Sequence, residues 1–344
     1  MSRALVPHAG LSLEPLIGAI AAGNAVALRP SELSPCTSRF LADNIGRYMD
    51  PSAVKVVQGG PEVGEQLTEH RWDKVLFTGS PRIARAVMAA AFRHLTPVAL
   101  ELGGKCPCIF DAMGSARDLQ ISVNRIIVGK WSTCAAQACI AIDYVLVEER
   151  FAPILIKVLK STLKRFFQET DHMARIVNER HLERLSNLLK VRYIEPTILL
   201  NPPLDSAIMT EEIFGPLLPI IAVKKIEDSI AFVKAMPKPL AIYAFTQDAA
   251  LRRRIVDETS SGSVTFNDAV VQYAIDGLLF GGVGQSGFGQ YHGKYSFEMF
   301  MKRGYLVELT LRYPPWDESK VTLMRYLYSF NYFAFVLSFL GLRR

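Results

Sequence analysis

Hydrophobic and polar positions change their period repeatedly along this chain. Leu11–Ala22 carries apolar residues at helical spacing, and Ala25–Leu28 is a short apolar run stopped by Pro30. Ser31 to Pro35 reads as a turn, Cys36–Met49 as a helix, and Val54–Val57 as a strand ended by Gly59-Gly60. Pro61–His70 reads as a helix with proline at its start. Val75–Thr78 reads as a strand, Ser80–His94 as a helix and Val98–Leu102 as a further strand. Strands and helices in this alternation predict a parallel sheet covered by helices on both faces.

The alternation continues downstream. Strands are predicted at Cys108–Phe110, Tyr144–Val147, Thr197–Leu200, Leu218–Val223, Ile242–Thr246 and Ser263–Phe266. Helices are predicted at Ala116–Trp131, Phe151–Phe167, Asn178–Leu189, Ile226–Ala235 and Ala249–Glu258. A loop leads to Cys139, and glycine-rich turns fill 281–289. The expected fold class is α/β: a doubly wound parallel-sheet cofactor domain plus an α/β catalytic domain.

Composition narrows this picture. With 344 residues, half of them hydrophobic, the chain can bury a large core and suits two domains or one large α/β unit. The net charge of +6 is dispersed, apart from Arg252–Arg254 and Lys160–Arg165. No aromatic-interleaved basic motif accompanies it, so these clusters read as solvated helix faces and no nucleic-acid partner is expected. The five cysteines are odd in number and scattered, which argues against a disulfide framework and for a reducing, cytoplasmic setting. Cys106-x-Cys108 lacks a second pair of ligands, so no metal is expected. Tyr326–Leu342 is uncharged and rich in aromatic and aliphatic residues, between Arg325 and Arg343-Arg344. Two readings stand for it: a buried or interfacial helix, or a membrane tail anchor at the short limit for a span.

Glu101-Leu102-Gly103-Gly104-Lys105 puts a carboxylate at the end of a buried strand, before two glycines that allow close approach. Such a carboxylate can act as a general base; the plainer reading is a surface Glu before a turn. Gln137-Ala138-Cys139 places a thiol on a loop after a helix, where it can be exposed and activated as thiolate; a buried structural cysteine is commoner. Phe77-Thr78-Gly79-Ser80 leads a strand into a helix whose first amides can meet a pyrophosphate, although Gly-x-Gly-x-x-Gly is missing. Leu28-Arg29-Pro30-Ser31-Glu32 sets a cation and a carboxylate beside a strand end, suited to ribose hydroxyls. Glu211-Glu212-Ile213-Phe214-Gly215-Pro216 sets a carboxylate near an aromatic ring, suited to a second ribose and its attached ring. Each of these last two is also an ordinary turn.

Order and spacing carry more than any single motif. Gly18–Ser31, Phe77–Ser80, Glu101–Lys105, Gln137–Cys139, Glu212–Pro216 and Phe280–Gly293 together resemble the aldehyde dehydrogenase superfamily, from about Leu11 to Tyr313. Tyr291-His292-Gly293-Lys294 points to its class 3 branch of fatty-aldehyde and plant variable-substrate enzymes. The resemblance implies oxidation of a medium- or long-chain or aromatic aldehyde to the acid, with Cys139 as nucleophile and Glu101 as the base that activates water. It implies NAD as cofactor, with NADP possible: Arg29, Ser31 and Glu32 at the adenosine ribose, Gly79 and Ser80 at the pyrophosphate, Glu212 and Phe214 at the nicotinamide ribose. It also implies a homodimer. The expected divisions are 1–105 for the cofactor domain, 106–300 for the thiol domain, 301–320 for an oligomerisation-strand remnant and 321–344 for the hydrophobic tail.

Departures from the family pattern are equally specific. Arg29 stands where the family usually has Lys, and the two cations differ in geometry. The family places an Asn, an oxyanion donor, on a strand just before the first helix here; this chain opens Met1-Ser2-Arg3-Ala4-Leu5-Val6-Pro7-His8 without one. Loss of such a donor costs about 10²–10³ in rate. Cys134-Ala135-Ala136-Gln137 replaces Asn-x-Gly-Gln, so Ala136 stands where glycine is usual, and Val191-Arg192 reads as a deletion junction. These features set the alternative: an inactive or weakly active truncated variant that binds cofactor or pairs with a full-length subunit.

Overall fold

The computed structural model describes residues 5–132, 134–167, 173–189 and 194–301. The segment 302–344, with Tyr326–Leu342 inside it, and the junction at Val191-Arg192 lie outside the described residues. Among the described residues no helix is long and apolar enough to cross a membrane.

The first stretch alternates as expected. It comprises α1 (Leu5–Ala21), β1 (Val26–Leu28), α2 (Pro35–Asn44), β2 (Val54–Val56), α3 (Pro61–Thr68), β3 (Val75–Gly79), α4 (Pro81–Phe92) and β4 (Val98–Leu102). The pairing is divided. Strand β1 pairs in parallel with β2, and β3 in parallel with β4, but these stand in separate sheets. A late strand, β11 (Gly287–Phe288), adds antiparallel to β4. It lies within turns that the glycines of 281–289 suggested, and only two residues long it leaves no period-2 signal.

The second stretch builds a six-stranded, wholly parallel sheet. It contains β5 (Pro107–Phe110), α5 (Ala116–Ile127), β6 (Tyr144–Glu148), α6 (Ala152–Phe166), α7 (Glu179–Leu189) and β7 (Thr197–Leu200). After these come α8 (Ala207–Thr210), β8 (Leu217–Val223), α9 (Asp228–Ala235), β9 (Ala241–Phe245), α10 (Ala249–Glu258) and β10 (Ser263–Phe266). The order across the sheet is β10-β9-β5-β6-β8-β7.

Alternate residues of the central strands point to opposite faces, each covered by helices. Phe110, Val145, Val147, Tyr243 and Phe245 pack with Leu119, Val123 and Ile126 of α5 and with Leu155 and Leu159 of α6. Ile109, Tyr144, Leu146, Ile242 and Ala244 pack with Leu185 of α7, Ile230 of α9 and Ile255 of α10. This is a doubly wound three-layer core. The last helix among the described residues, α11 (Lys294–Phe300), crosses α1 closely. A Cβ on Gly18 would lie 2.4 Å from Cβ of Ser296, so only glycine permits that approach.

Candidate active site

Glu101 sits in the last turn of pleat of β4, beside Thr78 of β3 and Gly287 of β11. It is 3% exposed, and both carboxylate oxygens are buried without a hydrogen-bond partner. Burial pushes its carboxyl up to about 9, so at neutral pH the group is the uncharged acid. An orphaned carboxyl is costly to a fold and so marks a place where chemistry outweighs stability.

Cys139 is delivered by an unusual stretch of backbone. Helix α5 winds into a π-helical turn, Val128–Ser132, where the apolar spacing predicts α-helix up to Trp131. Cys134, Ala135 and Ala136 then follow with φ of 55°, 50° and 62°. Ala136 therefore does hold the left-handed conformation at which its replacement of glycine matters; such backbone costs about 1–2 kcal/mol per non-glycine residue. Gln137 fastens the loop. Its Nε2 donates to the Cys134 carbonyl at 2.8 Å and the Arg175 carbonyl at 3.1 Å, and its Oε1 accepts the Val177 N–H at 2.8 Å. The Tyr243 hydroxyl donates to the Ile140 carbonyl at 2.6 Å, and the Cys106 thiol to the Cys139 carbonyl at 3.4 Å. The buried Trp131 indole donates to the Pro216 carbonyl at 2.8 Å, tying this loop to the end of the Glu212 motif.

From sequence, Cys139 is either an exposed thiol open to activation or a buried cysteine. Cys139 is half-buried, and burial first, then the charges of Glu212 and Glu101, push its thiol up to about 12. The backbone N–H groups of Cys139 and Ile140 pull the other way. The resting group is the thiol. Cys134 is buried, and burial raises its thiol also.

Glu212 meets the glycines that follow Glu101. A Cβ on Gly103 would lie 2.2 Å from its Oε2, and the Gly104 N–H donates to its carboxylate. Burial first, then Asp143, raises its carboxyl to about 8, against the pull of Gly104, Lys105 and Arg184. The backbone on either side is held from α7. Arg184 donates to the carbonyls of Glu212 and Ile213, and His181 Nε2 bonds the Phe214 carbonyl at 2.6 Å. Phe214 itself has φ of 50°.

The structure thus brings Glu101 and Glu212 each within electrostatic reach of Cys139. Gly79 lies opposite Leu102 in the sheet register, one position on from Glu101. Ser80 caps α4, its Oγ accepting the Ile83 N–H at 3.5 Å. The Arg29 group stands apart. Its guanidinium donates to Glu32 Oε2 at 2.9 Å, the Gly59 carbonyl at 3.0 Å and the Gly60 carbonyl at 2.7 Å. Arg29 braces Glu32 and the Gly59-Gly60 turn, so the exposed member of the pair is Glu32. The Ser31 hydroxyl accepts the Leu33 N–H at 3.2 Å and shapes the same turn.

Trp131, Gln137, His181 and Arg184 received no role from sequence. Only Asp143 left a usable signal, as a single charge within the apolar run Ile140–Val147.

Comparison with known proteins is consistent with this arrangement. The Aldehyde dehydrogenase family model matches residues 8–192 and 168–304. The chain is 54% identical, over 361 aligned positions, to aldehyde dehydrogenase family 3 member F1 of Arabidopsis thaliana, covering 97% of this chain and 75% of that one. Among solved structures it is similar to substrate-bound Staphylococcus aureus AldH, with TM-score 0.81 and 37% identity over 96% of this chain and 74% of that one. It is also similar to the glyceraldehyde-3-phosphate dehydrogenase GapN of Methanocaldococcus jannaschii in complex with NADP, with TM-score 0.75 and 25% identity over 84% of this chain and 68% of that one. The chain belongs to the aldehyde dehydrogenase family, in its class 3 branch of NAD(P)-dependent enzymes.

Proposed function

We propose that this protein oxidises a medium- or long-chain or aromatic aldehyde to its carboxylic acid through a covalent bond to Cys139. The observation that carries the reading is the buried, unpartnered Glu101 carboxyl within electrostatic reach of the half-buried Cys139 thiol. Cys139 Sγ, its proton released to solvent, attacks the aldehyde carbon, and the C–S bond forms as the carbonyl π pair moves onto oxygen. The Cys139 and Ile140 N–H groups, which already point at the sulfur, favour its anionic form. A nicotinamide dinucleotide held at Glu212 and Phe214 would supply the acceptor for the hydride that the carbon gives up. Glu101, as carboxylate, then removes a proton from the water that cleaves the resulting thioester.

The residues present suit such a dinucleotide. Glu212, held against Gly103, offers a carboxylate for ribose hydroxyls, with Phe214 beside it for the ring. At the start of α4, Pro81 has no N–H and the Ile83 N–H is bonded to Ser80 Oγ, so the Gly79-Ser80 turn and the Arg82 N–H are what would meet a pyrophosphate. Glu32 would take the adenosine ribose; its negative charge disfavours a 2′-phosphate and so favours NAD over NADP. In the same reading, 1–105 binds cofactor, 106–300 carries the thiol, and the protein is a cytoplasmic homodimer, in keeping with five unpaired cysteines.

The test is turnover of the full chain with NAD or NADP across a series of aldehydes, with Cys139→Ala and Glu101→Gln beside it. Formation of reduced cofactor, abolished by Cys139→Ala, is expected. No reduction with any aldehyde would refute the proposal. A second reading, a cofactor-binding but weakly active variant, is favoured by the left-handed alanines before the nucleophile. Tight cofactor binding with negligible turnover would select it.

A further inference from the structure

Lys105 and Asp143 have no part in the roles above, yet they form an ion pair whose side chains are 6% and 5% exposed. The Lys105 ammonium has three donors and meets three acceptors: Asp143 Oδ2, the Ile208 carbonyl at 2.8 Å and the Glu211 carbonyl at 3.0 Å. Asp143 turns its other oxygen, Oδ1, to the Ile213 N–H at 3.0 Å. The pair therefore grips the residues on both sides of Glu212, at the carbonyl before it and the amide after it.

The pair also joins the other functional segments. Lys105 closes the motif that Glu101 opens. Asp143 stands between Cys139 and β6, and its own N–H donates to the Cys106 carbonyl at 2.8 Å. Packing alone does not call for this arrangement. Two apolar side chains of similar volume commonly stabilise a core as well as a buried ion pair does, because both charges must be stripped of water. What apolar side chains cannot do is hold a carbonyl and an amide of a loop at fixed positions.

We propose that Lys105 and Asp143 are positioning residues for the cofactor. They fix Glu212 against the Gly103–Gly104 turn and so set affinity for the nicotinamide end of the dinucleotide, without acting on Cys139. This deepens the proposed function, resting on its reading of Glu212 as the nicotinamide-ribose contact.

The test uses the full chain with Lys105→Met, Asp143→Asn and the double variant Lys105→Met/Asp143→Leu, which leaves neither member of the pair as a buried charge without the other. NADH affinity is read by fluorescence titration, Cys139 reactivity by iodoacetamide alkylation without cofactor, and loop order by amide hydrogen exchange over residues 208–214. Each variant is expected to weaken NADH by about tenfold or more, the equivalent of one well-placed hydrogen bond. Exchange at Ile213 should quicken while alkylation of Cys139 stays unchanged. NADH binding equal to the unsubstituted chain in the double variant overturns the proposal. So does a parallel fall in NADH affinity and alkylation, which would mark a merely structural pair. If the unsubstituted chain binds NADH without oxidising aldehydes, only the proposed function fails; if it binds no NADH, both fail.

Discussion

Replacing Glu101 by glutamine should remove activity and strengthen the fold. The carboxyl ionises at 4.5 in the unfolded chain and at about 9 in the folded one, because burial without a partner penalises its charged form. The folded state thus binds this proton more tightly than the unfolded state. The group's contribution to stability is fully present below pH 4.5 and is lost as pH rises toward 9. At pH 7 the loss is about 1.4 kcal/mol for each of the roughly 2.5 units above 4.5, or about 3.5 kcal/mol. Glutamine, nearly isosteric and uncharged, carries no such loss. An unfolding entropy of about 2.1 cal/mol/K per residue over a unit of about 300 residues makes this a rise in Tm of about 5.5 °C. Thermal unfolding of both proteins from pH 5 to pH 9 is the assay. The two curves should meet at the acid end and diverge steadily upward. Parallel curves, or a variant less stable at pH 7, would refute the reasoning; so would retained aldehyde oxidation, since loss of a general base costs about 10²–10⁴ in rate.

Lys130 offers the mirror case: its buried ammonium has no hydrogen-bond partner, and burial lowers it to about 8. Lys130→Met should stabilise by about 3 kcal/mol below pH 8, the gain fading by pH 10.5; urea titrations at pH 7 and pH 10 would show it. Aldehyde oxidation should accelerate with pH toward about 9 as Glu101 ionises, and a flat kcat/KM profile from pH 7 to pH 9 would exclude that base. Ala136→Gly should stabilise by about 1 kcal/mol, since glycine carries no penalty at φ of 62°; a lower Tm would show that the strain is not there. Gly103→Ala puts a methyl 2.2 Å from Glu212 Oε2, and should raise the cofactor dissociation constant by about tenfold or more, measured by fluorescence titration.

Local features were legible in the chain because local chemistry writes them. The apolar run Val98–Leu102 is β4 at the predicted bounds, and the same holds for β7, β10 and α10. The order of Glu101, Cys139 and Glu212 was readable, although the distances between their side chains were not. Arg29 was expected at a ribose; its attachment to Gly59 and Gly60 depends on a turn some thirty residues away, which no local pattern encodes. The protonated state of Cys139 follows from burial and from two distant carboxylates, again outside the reach of a motif. The division of the first sheet into β1–β2 and β3–β4 was likewise invisible, because strand periodicity reports a face and never a neighbour.

The pairing of Gly287 with Glu101, and the crossing of Gly18 with Ser296, bear on how the protein is made. A ribosome delivers α1 and β4 long before their partners exist. Until residue 296 has emerged, one face of α1 lacks the helix that covers it, and the strand bearing Glu101 lacks its antiparallel neighbour. Contacts of such long sequence separation form late and slowly. The site is therefore completed only once α11 has emerged, and until then nascent chains should be more dependent on chaperones and more exposed to proteases.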